Sequence, residues 1–384
     1  VTGLRLGVDR LDLLREVVGA SARLGLVTND VALTSDLVPA RVALRDAGFD
    51  LVRLFSPEHG LSAQGRDGSY QGDAIDGLTG LPVTSLYGDL LAPDAESLAG
   101  LDAVVVDLPD VGCRFYTYAW TMSHVLEACD AAGVPVVVLD RPNPLGGLAE
   151  TVEGPMLDAS CASFVGRWPL PVRHGLTMGE LARLWHLEGR FAAEPHVVPL
   201  EGWVRADHAL TSDRPWVPPS PGMPSAHTAA VYPGLGLLEG VNVSDGRGTA
   251  VPFRALGAPW IDPLVLWREF SARELPGVAA IPYAFTPSAE KYAGELCRGL
   301  LLTVTDVDAL RPVRMGVELL ALVMRLWPEH VTEHRYTTRA NPSGTHHLDL
   351  LLGVPDAADR VRAGTLPLDA PADWETKTAP VRLY

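Results

Sequence analysis

Four short apolar runs fall within the first 140 residues, and each ends in a dense polar cluster. Ala22–Thr28 leads into Thr28-Asn29-Asp30, and Asp50–Phe55 into Ser56-Pro57-Glu58-His59-Gly60. Asp102–Asp107 leads into Asp107-Leu108-Pro109-Asp110, and Val134–Asp140 into Asp140-Arg141-Pro142-Asn143-Pro144. Val104-Val105-Val106 and Val136-Val137-Val138-Leu139 are apolar at consecutive positions, which suits parallel strands covered on both faces. Ligands of such sheets bind beyond the carboxyl ends of the strands. The four clusters are therefore expected to share one site.

Helical patterns alternate with these runs. Ser35 is expected to cap a helix from Asp36 to about Ala47, ended by Gly48. Phe115 to Ala132 reads as a longer helix stopped at Gly133. Thr177 caps Met178–Leu187, with Glu180 completing a capping box and Gly189 ending the helix. This alternation predicts an α/β fold with a Rossmann-like, doubly wound parallel sheet. Pro215, Pro218, Pro219, Pro221 and Pro224 then stiffen a non-helical passage of the kind that crosses between domains or lines a pocket. Beyond it, helices at Asp262–Ala272 and Arg314–Leu326 and a strand at Leu300–Thr305 predict a second, smaller α+β domain. The expected division is 1–229 for the Rossmann-like catalytic domain and 230–384 for the domain that completes the cleft.

Composition narrows the partners. The 384 residues carry a net charge of −16, which disfavours nucleic acid or an anionic membrane surface as the main partner, since both need a basic face. No apolar run is long enough to span a bilayer. The opening Val1-Thr2-Gly3-Leu4-Arg5-Leu6-Gly7 has no basic-then-apolar leader, which fits a cytoplasmic chain or a secreted one whose leader is absent. Cys113, Cys129, Cys161 and Cys297 form no CxxC, so neither a zinc site nor a disulfide scaffold is expected, although an even count keeps a disulfide formally open.

Several polar groups are candidates for chemistry. Glu58-His59-Gly60 places a carboxylate directly after a buried strand, where dipoles and burial tune its pKa; the alternative is a turn whose Glu caps a helix or pairs with an Arg. Asp107 and Asp110 precede Arg114, Tyr116 and Tyr118, and acid, guanidinium and phenol together can hold a sugar. Asp110 could instead cap the following helix. Two prolines hold Asn143 extended, as a reader of an amide or hydroxyl or as a self-satisfied turn. Glu153-Gly154-Pro155 offers another carboxylate, and His174-Gly175 a lone imidazole of the kind that is more often structural. Pro221-Gly222-Met223-Pro224 reads as pocket wall. The loop Glu239–Thr249 lacks the lysine of a phosphate loop, but Arg247 between glycines suits a carboxylate. No G-x-G-x-x-G follows the first run, so no dinucleotide is expected. His346-His347 on a strand would face opposite ways, so no metal is expected either.

Taken in order, these motifs resemble the exo-β-N-acetylmuramidase family over nearly the whole chain. The resemblance rests on Pro57-Glu58-His59-Gly60, Thr79-Gly80-Leu81-Pro82-Val83, Ser85-Leu86-Tyr87-Gly88, and Asp110-Val111-Gly112 with Arg114-Phe115-Tyr116-Thr117-Tyr118. It continues through Asp140–Pro144, Glu153-Gly154-Pro155, His174-Gly175, Glu239-Gly240-Val241-Asn242 and Gly246-Arg247-Gly248-Thr249. It implies hydrolysis of a terminal N-acetylmuramic acid from the non-reducing end of peptidoglycan fragments, a small-molecule sugar substrate, no cofactor and a site between two domains. Ser62-Ala63 and Gly68-Ser69 stand where the family often has Arg-Gly and Gly-Glu, which bears on the sugar rather than the fold. Glycoside hydrolysis uses two carboxyl groups. Glu58 is expected to be the acid, with Asp107, Glu153 and Glu239 competing for the second role. Asn29, His59, Asp110, Arg114, Tyr116, Asn143, His174, Asn242 and Arg247 are the expected substrate binders, with Arg247 or Arg114 taking the lactyl carboxylate. The competing classes are a non-catalytic binder of acidic sugars and a metal-dependent amidohydrolase or esterase on the same fold.

Overall fold

A computed structural model describes residues 3–66, 68–338 and 341–384, so Val1 and Thr2 lie outside it. Seven strands form the main sheet: β1 (Arg23–Val27), β2 (Asp50–Ser56), β3 (Ala74–Ile75), β4 (Pro82–Ser85), β5 (Ala103–Val106), β6 (Val136–Leu139) and β7 (His196–Val198). Their order is β3-β4-β2-β1-β5-β6-β7, parallel throughout except for β3, which runs antiparallel to β4. The chain steps from β1 outward to β2 and returns on the other side of β1 at β5. That reversal is the switch point of a doubly wound sheet.

The consecutive valines explain the central position of β5 and β6. Val104 and Val106 enter the core on one face, while Ala103 and Val105 enter the core on the other. One face is covered by α1 (Leu11–Val18) and α2 (Ala40–Asp46), which bury Leu14 and Leu44 there. The other is covered by α4 (Tyr118–Ala132) and α5 (Met178–Leu187), which contribute Met122 and Trp185; a short α3 (Ala95–Leu98) leads into β5. The capping box at Thr177 and Glu180 forms as expected, and Gly133 ends α4 at φ +70°. The Ser35 cap does not form. Pro39 is the N-cap residue of α2, which starts at Ala40, and Ser35 instead donates its N–H to Asp9.

After the proline passage, α6 (Ala226–Leu235) leads to a second layer. It holds a three-stranded antiparallel sheet, β8 (Ala255–Ala258), β10 (Cys297–Val304) and β9 (Val278–Phe285) in that order. The helices here are α7 (Pro263–Ser271), α8 (Pro312–Leu326), α9 (His347–Leu352), α10 (Ala357–Ala363) and α11 (Trp374–Thr378). The expected division at 229/230 falls inside α6. This helix crosses α8 at Gly234 and Gly316, where a Cβ on Gly316 would stand 2.3 Å from the Cα of Gly234. Only glycine allows that approach. His346 and His347 begin α9, so the expected strand there is a helix start. All four cysteines are free and buried. Among the described residues, no helix is long and apolar enough to cross a membrane.

Candidate active site

The site begins at the end of β2. His59 and Gly60 adopt φ +69° and +72°, a sharp exit that tucks Glu58 beneath its own loop. Glu58 Oε1 accepts the Gly68 N–H at 2.7 Å, and Oε2 accepts the Thr117 hydroxyl at 2.7 Å. Thr117 is the N-cap residue of α4, yet its hydroxyl makes no capping bond and serves Glu58 instead. The second carboxylate comes from the other layer. Glu239 lies on the 3-10 turn Gly236–Gly240 that follows α6. Glu58 and Glu239, 6% and 7% exposed, line one narrow cleft of about 60 Å³, with Tyr116, Met223, Tyr232 and Tyr336 among its walls.

Glu239 is held by a buried ion network. Arg247 Nη1 lies 2.9 Å from Glu239 Oε1. The Nε and Nη2 of the same guanidinium donate to the two oxygens of Asp245, each at 3.1 Å. Lys291 Nζ sits 3.1 Å from Asp245 Oδ2 and donates to the Leu238 and Val241 carbonyls at 2.6 and 3.1 Å. Burial alone would raise the Asp245 pKa, but the Arg247 and Lys291 charges outweigh it and hold the carboxyl well below the usual range. The Arg247 fork is thus engaged by protein carboxylates rather than open to a ligand. The flanking glycines serve the backbone: a Cβ on Gly248, at φ +79°, would meet Ala289 N at 2.6 Å.

Of the expected residues, Glu58, His59, Tyr116 and Glu239 line the cleft together, and Arg247 stands behind Glu239. The others lie elsewhere for identifiable reasons. Asp107, fully buried, pairs with Arg141, whose Nη2 donates to Asp107 Oδ2 at 2.9 Å and to the Leu33 carbonyl. Glu153 accepts the Val313 and Arg314 N–H groups at the start of α8, and burial pushes its carboxyl up to about 7. Arg114, fully buried, donates to the carbonyls of Pro155, Leu170 and Leu351, so it cannot meet a substrate carboxylate. Asn143 closes its own turn through the Leu145 N–H and the Leu176 carbonyl. His174 accepts the Leu176 N–H at 3.1 Å, and burial lowers its pKa to about 3. Asn242 ties down the His330–Thr332 loop, and Asn29 donates to the Tyr118 hydroxyl behind the cleft wall. Asp110 caps no helix; its Oδ2 accepts the Gly112 N–H.

Breaking a buried ion pair by removing one partner costs about 3–5 kcal/mol. Asp107→Ala is therefore expected to lower unfolding stability by about that amount in urea titrations. The protein that remains folded should keep its turnover rate, whereas a loss of turnover with stability intact would return Asp107 to the chemistry.

Thr117, Tyr232, Phe253, Tyr336, Asp245 and Lys291 also belong to the site or its support. Thr117 stands inside a motif noted in the sequence, and Lys291 is one of only two lysines. Tyr232, Phe253 and Tyr336 carry no spacing that marks them. The Pro221–Pro224 segment is cleft wall as expected, through Gly222 and Met223. No cluster of three metal-ligating side chains occurs among the described residues.

A Rossmann-like layer and the 3-10 turn Gly236–Gly240 thus each bring one carboxylate to the same aromatic-walled cleft, and a pair of carboxyl groups is what glycoside hydrolysis uses. The comparisons agree with that class. The profile of the N-terminal domain of exo-β-N-acetylmuramidase NamZ matches residues 24–227, and that of its C-terminal domain matches residues 230–380. The chain belongs to this family of glycosidases. It is 40% identical over 329 residues to the peptidoglycan β-N-acetylmuramidase NamZ of Bacillus subtilis strain 168, covering 85% of this chain and 78% of that one. Two crystal structures of DUF1343 family proteins from Bacteroides fragilis share the fold over 99% of both chains. One has a TM-score of 0.86 at 29% identity, the other 0.72 at 25%.

Proposed function

We propose that the chain hydrolyses the bond between a non-reducing terminal N-acetylmuramic acid and the rest of a peptidoglycan fragment, with Glu58 as the acid and Glu239 as its partner. The observation that carries this reading is the placement of Glu58 and Glu239 in one cleft, each on a different layer. Their settings divide the work. Glu239 is paired with Arg247 at 2.9 Å, and its role in this reading is either to attack the anomeric carbon or to take a proton from water. The Thr117 hydroxyl beside Glu58 can donate to the carboxylate or accept from the carboxylic acid, so the site supports both protonation states. Glu58 gives its proton to the glycosidic oxygen as the bond to the anomeric carbon breaks, and the leaving sugar departs as an alcohol. Tyr116 and Tyr232 supply apolar ring surface against a pyranose face. The division near residue 229 belongs to the same reading, with the first layer supplying the acid and the second its counterpart.

The test is a panel of 4-nitrophenyl glycosides, N-acetylmuramide and N-acetylglucosaminide included, with and without a chelator. Release of nitrophenol from the muramide, unaffected by the chelator, is the expected result. Release from none of them, or release lost on chelation, overturns the reading in favour of a binder or a metal-dependent hydrolase.

A further inference from the structure

The ends of the four central strands diverge in the folded chain. β2 delivers Glu58 to the cleft, whereas the loops after β1, β5 and β6 open on a separate cavity of about 320 Å³ lined by Leu33, Asp110, Arg141, Trp203, Arg214 and Trp216. This cavity lies at the switch point of the sheet, the position where doubly wound proteins bind ligands, and its size suits a single sugar ring. The proline passage forms the partition. Trp216 lines the cavity and Met223 the cleft, and Trp216 Nε1 donates to the Met223 carbonyl at 2.9 Å.

Two groups in the cavity have bonding capacity that the protein leaves unused. Asp110 Oδ1 is sealed from bulk solvent and has no hydrogen-bond partner. Burial pushes this carboxyl up to about 7, so near neutral pH it can donate or accept and does not repel an anion as a fixed charge would. Arg214 is half-buried and donates to Ser35 Oγ at 3.1 Å, and no ion pair to it occurs among the described residues. Arg141, by contrast, is neutralised by Asp107. Asp9 reaches Arg214 only through the Ser35 hydroxyl, which bonds both, and a half-buried guanidinium with no direct carboxylate contact can still take an anion.

We propose that this cavity is a second ligand site, taking a sugar-sized carboxylic acid whose carboxylate meets Arg214, whose hydroxyl or amide meets Asp110 and whose ring lies along the Trp216 wall. For the choice of probe the proposal rests on the muramidase reading: free N-acetylmuramic acid carries the ring, the amide and the carboxylate together. N-acetylglucosamine lacks the carboxylate and serves as the control.

The experiment is titration calorimetry of the full chain with each sugar, alongside Arg214→Ala and Leu33→Trp, the latter filling the cavity. Two equivalents of N-acetylmuramic acid are expected on the wild type. One of them should weaken at least tenfold in Arg214→Ala and disappear in Leu33→Trp, while muramide cleavage by Leu33→Trp stays unchanged. N-acetylglucosamine should not fill the second site. Binding that Arg214→Ala does not weaken and Leu33→Trp does not remove, whatever its stoichiometry, or no binding at all, overturns the proposal. Cleavage of aryl muramide is read separately, so failure of the cavity site and failure of the muramidase reading are told apart.

Discussion

Glu58→Gln is expected to lower kcat on an unactivated muramide-terminated disaccharide by at least about 10³-fold, within the range that a positioned general acid contributes. The protein should remain folded, because a glutamine keeps the shape and one carbonyl oxygen for the Gly68 N–H or the Thr117 hydroxyl. The mark of an acid is how the loss depends on the leaving group. A dinitrophenolate departs with little need of a proton, so the deficit should shrink at least about tenfold on the dinitrophenyl muramide. The high-pH limb of kcat/KM, set by the acid's deprotonation, should vanish in the same variant. A deficit independent of leaving-group acidity would assign Glu58 to positioning or to the opposite face of the sugar.

The main sheet was legible because burial on both faces forces a distinctive composition. Nothing but a covered central strand accounts for Val104–Val106 beside Val136–Leu139, and all four expected strands formed with ends within two residues. The short strands β3, β4 and β7, two to four residues each, lack that signal: β3 and β7 are the edges of the sheet, and β4 has only the two-residue β3 on its outer side. The expectation of one shared site failed at a different level. Strand ends that are adjacent in the sheet need not open on the same cavity, and the Pro215–Pro224 passage, itself legible as pocket wall, separates them. Buried polar residues proved the hardest to read. Asp107, Glu153, Arg114 and His174 carry the residue types of catalysis, but their partners are backbone groups or a distant Arg brought near only by the fold. Sequence shows the polar group and not what satisfies it. Glu239 illustrates the converse: Arg247 is eight residues away along the chain and therefore in view, while Lys291, from a loop between β9 and β10, is not.

That network sets the second large effect. Glu239→Ala is expected to lower kcat by at least about 10³-fold as well, but with a different signature, because activated leaving groups should not relieve the loss. Arg247 keeps both Asp245 bonds in the variant, so the loop stays in place and the truncated side chain leaves room on the face opposite the leaving group. Azide supplied in solution should enter that space and restore turnover, and the product should be a glycosyl azide of the opposite anomeric configuration to the substrate. The rescue separates a group that works at the anomeric carbon from one that only holds Arg247 in position. A Glu239→Ala protein that is inactive, folded and indifferent to azide would move the partner role away from Glu239. Asp245→Asn provides the companion measurement. It weakens the grip on Arg247 without touching Glu239, so it should shift the low-pH limb of kcat/KM and leave KM close to the wild-type value.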